Sequence, residues 1–152
     1  MKISIIAVGK IGHSPEQRLV DRYKKRIKVP IQLIEVEEKR PIKGNERKIR
    51  EGELLLDNLS RNAHVIILDE LGHEFSSVEF SKKLSNFQDI GISDLVFIIG
   101  GPDGLSDNLK KRANISMSLG KMTWPHMMVR SMLVEQIYRA YSILQGHPYH
   151  KV

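Results

Sequence analysis

The chain contains no cysteine, so neither a disulfide framework nor a thiolate metal site is available to it. No apolar stretch approaches the roughly 18 uninterrupted residues of a membrane-spanning helix, and a soluble protein is expected. The opening MKISIIAVGKIGHS lacks the small-residue cleavage site of an export signal, which together with the missing cysteines is compatible with a cytoplasmic location. Internal repeats and low-complexity segments are absent. So are the P-loop, the dinucleotide fingerprint, the H-E-x-x-H zinc helix and the G-x-S-x-G nucleophile elbow. These absences argue against nicotinamide-dependent redox chemistry and covalent catalysis. The closing HPYHKV has ligand-like histidine spacing, but Pro148 prevents a helix from holding His147 and His150 on one side. No metal is expected.

What the chain does have is length for one core and an excess of positive charge. Its 152 residues suit a single domain spanning 1–152, since a chain of this size buries roughly 70% of its unfolded surface. The formal net charge is +6, unevenly spread: residues 1–56 carry +6, residues 57–120 carry −3 and residues 121–152 carry +3. Basic ends around an acidic middle suit either a polyanionic partner such as nucleic acid or a solvated face that keeps the protein in solution.

Hydrophobic periodicity supplies the organisation. Lys2 to Val8 reads as a buried strand ended by Gly9. Ser14 offers an N-cap with Pro15 at the first helical position, and the helix that follows has an apolar stripe of Leu19, Val20, Tyr23 and Ile27. Arg18, Arg22, Lys24, Lys25, Arg26 and Lys28 make the remainder of that helix basic, and Pro30 ends it. Ile31 to Val36 alternates as a second strand. Residues 37–53 are highly charged, a mobile loop or a surface lobe leading into a helix through Leu54 to Leu59. Ala63 to Leu68 and Leu95 to Ile99 are continuous apolar strands with a helical pattern between them, and Ile115 to Leu119 suits one more strand. Val129 to Leu144 then forms a helix stopped by Gly146. Apolar strands alternating with helices give the α/β class, with a largely parallel sheet covered on both faces.

In such sheets ligands bind beyond the carboxyl ends of the strands. Three segments qualify: Asp69 to Gly72, IIGGPDGLS at 98–106, and LGKMTWPH at 119–126. Gly100, Gly101 and Gly104 suit a tight turn into a helix capped by Ser106, or close approach to a ligand. Trp124, Met127 and Met128 suit core packing. Arg130 and Arg139 lie nine residues apart, two and a half helical turns, and so do not share a face.

Taken in order, ISIIAVGK, IIGGPDGLS, SLGKMTWPHMMVR and LVEQIYRAYSILQGHPYHK resemble the RlmH family of large-subunit ribosomal RNA methyltransferases, within the SPOUT superfamily. The resemblance spans essentially the whole chain. It implies a SPOUT-type, mostly parallel sheet flanked by helices, a C-terminal trefoil knot, and a homodimer. It implies S-adenosyl-L-methionine as cofactor, held at Leu68, Gly101, Gly120, Lys121, Met122, Thr123, Trp124 and Pro125. The implied reaction is methylation of N3 of a pseudouridine in 23S rRNA of the assembled 70S ribosome, with no DNA, membrane or metal involved. A non-catalytic ribosome-binding factor on the same fold is the alternative.

N3 of neutral pseudouridine carries a proton, so a base or a group favouring the anion is needed. His150, Tyr149, Arg139 and His126 are the polar groups the resemblance brings near the pocket. The expectation is that His150 is the base or orients it while Arg139 and Tyr149 hold the substrate. Water as proton acceptor, with the tail only closing the site, is the other option. The basic helix and Lys39, Arg40, Lys43, Arg47, Lys48 and Arg50 are the expected phosphate-contacting surface.

Overall fold

The computed structural model describes residues 1–151. In chain order the elements are β1 (Lys2–Val8), α1 (Pro15–Lys24), β2 (Ile31–Val36), α2 (Gly44–Asp57), β3 (His64–Glu74), α3 (Ser77–Asp89), β4 (Asp94–Ile99), α4 (Asp107–Arg112), β5 (Ile115–Ser118) and α5 (His126–Leu144). The strands form one sheet in the order β2-β1-β4-β3-β5, every neighbouring pair parallel. The expected α/β architecture is therefore present.

Successive residues of a strand face opposite sides, so a continuous apolar run feeds two cores. Ile3, Ile5, Ala7, Ile66, Leu95, Phe97 and Ile99 pack with Val20 of α1, Phe80 and Leu84 of α3 and Leu133, Val134 and Ile137 of α5. The alternate residues Ile6, Val8, Val65, Ile67, Val96 and Ile98 pack with Leu55 of α2 and Leu109 of α4. Each fully buried Ile, Leu or Phe contributes about 1.5–3 kcal/mol, which is why the central strands contain almost no polar residue. Among the described residues no helix is long and apolar enough to cross a membrane.

Local signals place most boundaries. Ser14 accepts the Gln17 amide and Pro15 starts α1. Ser76 and Glu79 close a reciprocal capping box on α3, and Ser106 caps α4 by accepting the Leu109 amide. Gly146, at φ 65°, lets the chain leave α5 with the His147 amide bonded back to the Ser142 carbonyl.

The structure departs from the sequence expectations in four places. The basic helix expected to run to Pro30 ends at Lys24, with Lys25 as its C-cap. The charged stretch at 37–53 is neither loop nor lobe beyond residue 43, because α2 already begins at Gly44. Its inner side is fixed by Leu55 in the core and by Gly52, where a Cβ would fall 2.2 Å from Ser106 Oγ. The helix α5 starts at His126, one turn before Val129. Finally, Asp69 to Gly72 is not the end of a strand but an excursion within β3. Leu68 and His73 both pair with Met117 of β5, so residues 69–72 bulge out between them. Gly72 makes the return possible, since a Cβ there would sit 2.7 Å from the Met117 nitrogen and the Ser116 carbonyl carbon.

Candidate active site

The bulge of β3 and the carboxyl ends of β4 and β5 surround a cleft of about 380 Å³. Its floor is apolar, from Leu68, Ile99, Leu105, Met117, Leu119 and Val129. Its rim is built from the 69–72 bulge, the loop from Gly100 to Gly104 and the loop from Gly120 to Trp124. All three segments singled out in the sequence therefore meet at one place.

Each rim segment has its own brace. In the glycine loop the Gly104 amide donates to the Gly101 carbonyl at 3.1 Å, and Gly104 takes φ 86°. Gly100 and Gly101 are cradles: a Cβ at Gly100 would meet Leu105 at 2.8 Å, and one at Gly101 would meet the Glu51 carboxylate at 2.9 Å and Val8 at 3.0 Å. Arg47 of α2 forms an ion pair with Asp103 across the back of the loop. Asp103 is thus a brace and not a ligand-facing acid. Beside it Glu51 is 5% exposed, and its Oε1 has no partner among the described residues. Burial pushes the Glu51 carboxyl above its ordinary range, against a smaller downward pull from Arg47.

The third segment turns on Ser118, which accepts the Gly120 amide at 3.1 Å and donates to the Gly120 carbonyl at 2.8 Å. Thr123 reaches across the mouth and donates to Glu70 Oε2 at 2.6 Å, while Asp69 faces Lys110 at 3.8 Å. Met122 and Leu71 stand out at the rim, 75% and 87% exposed.

Of the residues expected at a cofactor site, Leu68, Gly101, Gly120, Met122, Thr123 and Trp124 line this cleft, while Lys121 and Pro125 belong to the same loop without lining it. Apolar walls for a base, backbone groups on glycine loops and an α5 amino end with no side-chain cap suit an adenosine carrying a polar tail. His126, first residue of α5, also lines it. Burial, with a lesser contribution from the Arg130 charge, holds the His126 imidazole below its ordinary range, so the ring favours the neutral form.

The other three expected catalytic residues gather elsewhere, on the flank shared by α1 and α5. Glu135 Oε1 accepts Arg139 Nε at 3.0 Å and Nη2 at 2.5 Å, and lies 3.0 Å from the Tyr149 hydroxyl. Tyr149 is also 3.2 Å from the Tyr23 hydroxyl, and burial, reinforced by these two hydrogen bonds, raises its phenol well above the ordinary range. Arg139 Nη1 lies 3.2 Å from His150 Nδ1. A guanidinium has only hydrogens to offer, so Nδ1 is the acceptor and the neutral ring carries its proton on Nε2. In this arrangement Nδ1 of His150 is already engaged by Arg139.

A larger groove of about 590 Å³ runs past this cluster between α1, α3 and α5, and shares Met117, Leu119 and Gly120 with the first cleft.

Sequence reasoning did not find Glu51, Glu35, Tyr23 or Glu135. Glu35 looked like a solvent position on an alternating strand, and Glu51 like one charge in a charged run. Among the described residues no group of three His, Asp or Glu side chains is arranged to hold a metal ion.

The family model described as "Predicted SPOUT methyltransferase" matches residues 1–150. A protein of Paramagnetospirillum magneticum named ribosomal RNA large subunit methyltransferase H is 50% identical over 99% of both chains. The chain belongs to the RlmH family of SPOUT methyltransferases. Relatives of the same name from Rhodospirillum rubrum and a Ruegeria species are 45% and 43% identical over at least 99% of each chain. The fold is shared more widely. A solved structure titled as a probable methylase family protein, from Haemophilus influenzae Rd KW20, superposes with a TM-score of 0.58 at 13% identity, covering 99% of this chain and 70% of that one.

Proposed function

We propose that the chain methylates N3 of a pseudouridine in 23S rRNA of the assembled ribosome, using S-adenosyl-L-methionine bound in the 380 Å³ cleft. The observation that carries this reading is the meeting of three glycine-bearing loops around an apolar floor, in a chain whose full-length relatives are named for methylation of large-subunit ribosomal RNA. Leu68, Gly101 and the Gly120 to Trp124 loop hold the cofactor. When bound, it supplies an electrophilic methyl carbon and takes the bonding pair onto its sulfur.

The protein's own tasks are then deprotonation and alignment. The N3–H bond must break so that its electron pair can form the new N–C bond, and the proton needs an acceptor near the cleft. His126 is assigned that role because it lines the cleft and favours its neutral, proton-accepting form. Arg139, Tyr149 and His150 are assigned to the substrate side. Holding the two reactants in line supplies much of the rate.

The substrate surface is α1 and the residues that follow it to Lys28. Arg18, Arg22, Lys25, Arg26 and Lys28 are exposed, and none of them is in an ion pair among the described residues. The 39–50 segment contributes less, because Arg40, Arg47 and Arg50 are held by Glu38, Asp103 and Glu53. Residues 1–152 act as one cytoplasmic methyltransferase domain, knotted at its carboxyl end as the family resemblance implies. A second copy is the proposed occupant of the 590 Å³ groove, whose lining includes the exposed apolar side chains Leu19 and Met128.

Transfer of labelled methyl groups to ribosomes, with free RNA as control, tests the reaction. Calorimetry with S-adenosyl-L-methionine distinguishes an enzyme from a ribosome-binding factor that lacks the chemistry. Absence of cofactor binding would leave only the second reading.

A further inference from the structure

The largest fully buried side chain in the molecule is a charged one, Arg130. It projects from α5, one turn after His126, onto the carboxyl end of β1, where the strand ends at Val8 and Gly9 follows. Its Nη1 donates to Glu35 Oε2 at 2.6 Å, and its Nη2 donates to the Val8 carbonyl at 2.6 Å and the Gly9 carbonyl at 2.7 Å. Glu35 Oε2 also accepts the Ile11 amide at 2.7 Å, so one carboxylate ties down both the guanidinium and the chain leaving β1.

Burying a guanidinium is a poor device for stability, because its desolvation offsets most of the attraction of a carboxylate that stays partly exposed, as Glu35 does. Burial and the single carboxylate leave this one under-compensated, with Arg130 Nε unpartnered among the described residues. The arrangement is better explained by what lies beside it. Gly9, at φ 88°, is the contact point: a Cβ there would be 3.8 Å from both His126 Nε2 and Arg130 Nη2, and 3.4 Å from Met127 Cε. The imidazole and the guanidinium thus flank one glycine, on the same face of the helix at i and i+4.

We propose that Glu35 and Arg130 are positioning residues for His126, locking the first turn of α5 onto the end of β1 and placing a permanent positive charge one turn from the imidazole. The lock orients the ring in the cleft. The charge works against protonation of the ring, and so keeps a lone pair available. Other charges around His126 are arranged to interfere little. Asp69 and Lys110 face each other across the cleft, Glu70 holds Thr123, and Lys10 and Lys121 are exposed.

The inference that this matters for catalysis rests on His126 as proton acceptor, but the electrostatic claim does not, and the test separates them. The imidazole of His126 is titrated by NMR in the free protein, its resonance assigned by loss in His126→Gln. In Glu35→Gln the guanidinium loses its counter-charge, and the His126 titration is expected to move to lower pH. In Arg130→Met it is expected to move to higher pH. In Arg130→Lys the charge remains while the carbonyl contacts are lost, so the titration stays low and methyl transfer falls by roughly tenfold through misorientation. Should Arg130→Met not fold, Glu35→Gln and Arg130→Lys still decide. Opposite movements in Glu35→Gln and Arg130→Met, or the downward movement in Glu35→Gln with Arg130→Lys staying low, support the proposal. A His126 titration that is the same in every folded variant overturns it, whether or not the protein methylates ribosomes. If the titrations move as stated and the wild-type chain transfers no methyl group, the functional reading fails and the positioning of His126 stands.

Discussion

Replacing Gly101 by alanine tests whether the glycine loop is shaped by what lies behind it. Gly101 does not adopt a positive φ, so an alanine there meets no backbone penalty. Its added methyl would instead fall 2.9 and 3.0 Å from the two Glu51 oxygens and 3.0 Å from Val8 Cγ1. Neither neighbour can retreat freely: Val8 is in the central sheet and Glu51 is 5% exposed. Forcing a methylene into such a packed place costs about 1–3 kcal/mol. For a chain of this length that lowers Tm by roughly 2–4 °C per kcal/mol. A loop displaced toward the cleft should also weaken S-adenosyl-L-methionine, and about 1.4 kcal/mol of lost complementarity would read as a tenfold rise in Kd. The assay is a double-mutant cycle, with Gly101→Ala measured alone and in Glu51→Ala by thermal unfolding and calorimetry. Shortening Glu51 opens the space, so the double variant should recover much of the loss, and the two effects should be non-additive. Gly104→Ala is the control: at φ 86° with no atom within 4 Å, it should cost about 1–2 kcal/mol through backbone strain and gain nothing from Glu51→Ala. A Gly101→Ala variant with unchanged Tm and Kd, or one indifferent to Glu51, would refute the account.

Three further outcomes follow from the same geometry. Gly72→Ala brings its methyl to 2.7 Å from the Met117 backbone, so the return of β3 to β5 should be lost, with a cost above about 3 kcal/mol seen as failure to fold or as exposed β3 amides in hydrogen exchange. Ser76→Ala removes half of the α3 capping box and should cost about 1 kcal/mol by denaturant unfolding, with methyl transfer unaffected. Glu51 has a folded-state pKa above its ordinary 4.5, so the unfolded chain releases that proton first, and the stability contribution is complete below pH 4.5 and lost as pH rises through the raised value. Glu51→Gln should therefore be more stable than wild type at neutral pH, with the difference closing on acidification; a constant gap across pH would contradict it.

The sequence made the sheet legible because the strands are apolar on consecutive positions. Only a strand buried on both faces asks for that, and β1, β3 and β4 each supply both cores. Helix starts at Ser14 and Ser106 were legible for a local reason, since a cap satisfies amides two or three residues away. The course of residues 69–72 was not. Asp69, Glu70 and Gly72 are turn formers, and the pairing of His73 and Glu74 with β5 depends on a strand more than forty residues later. The charged run at 37–53 hid the start of α2 in the same way, because its burial depends on Ser106 and Gly101 and not on its own composition.

The candidate site divides along the same line. Gly100 and Gly101 allow close backbone approach and Gly104 and Gly120 a positive φ, and the family motifs attach a cofactor to them. What the chain's order could not convey is which charges meet. Arg130 and Glu35 are 95 residues apart, Arg47 and Asp103 are 56 apart, and in each case one partner resembles an ordinary surface residue. The histidines divided likewise: His126 lines the cleft, whereas His150 is engaged by Arg139 on another flank. Sequence alone determined the strands, the capped helix starts and the glycine-bearing loops, because short-range sterics and hydrophobic periodicity govern them. Tertiary structure decided the state of the ionisable groups, because desolvation and charge proximity are set by chain segments that meet only after folding.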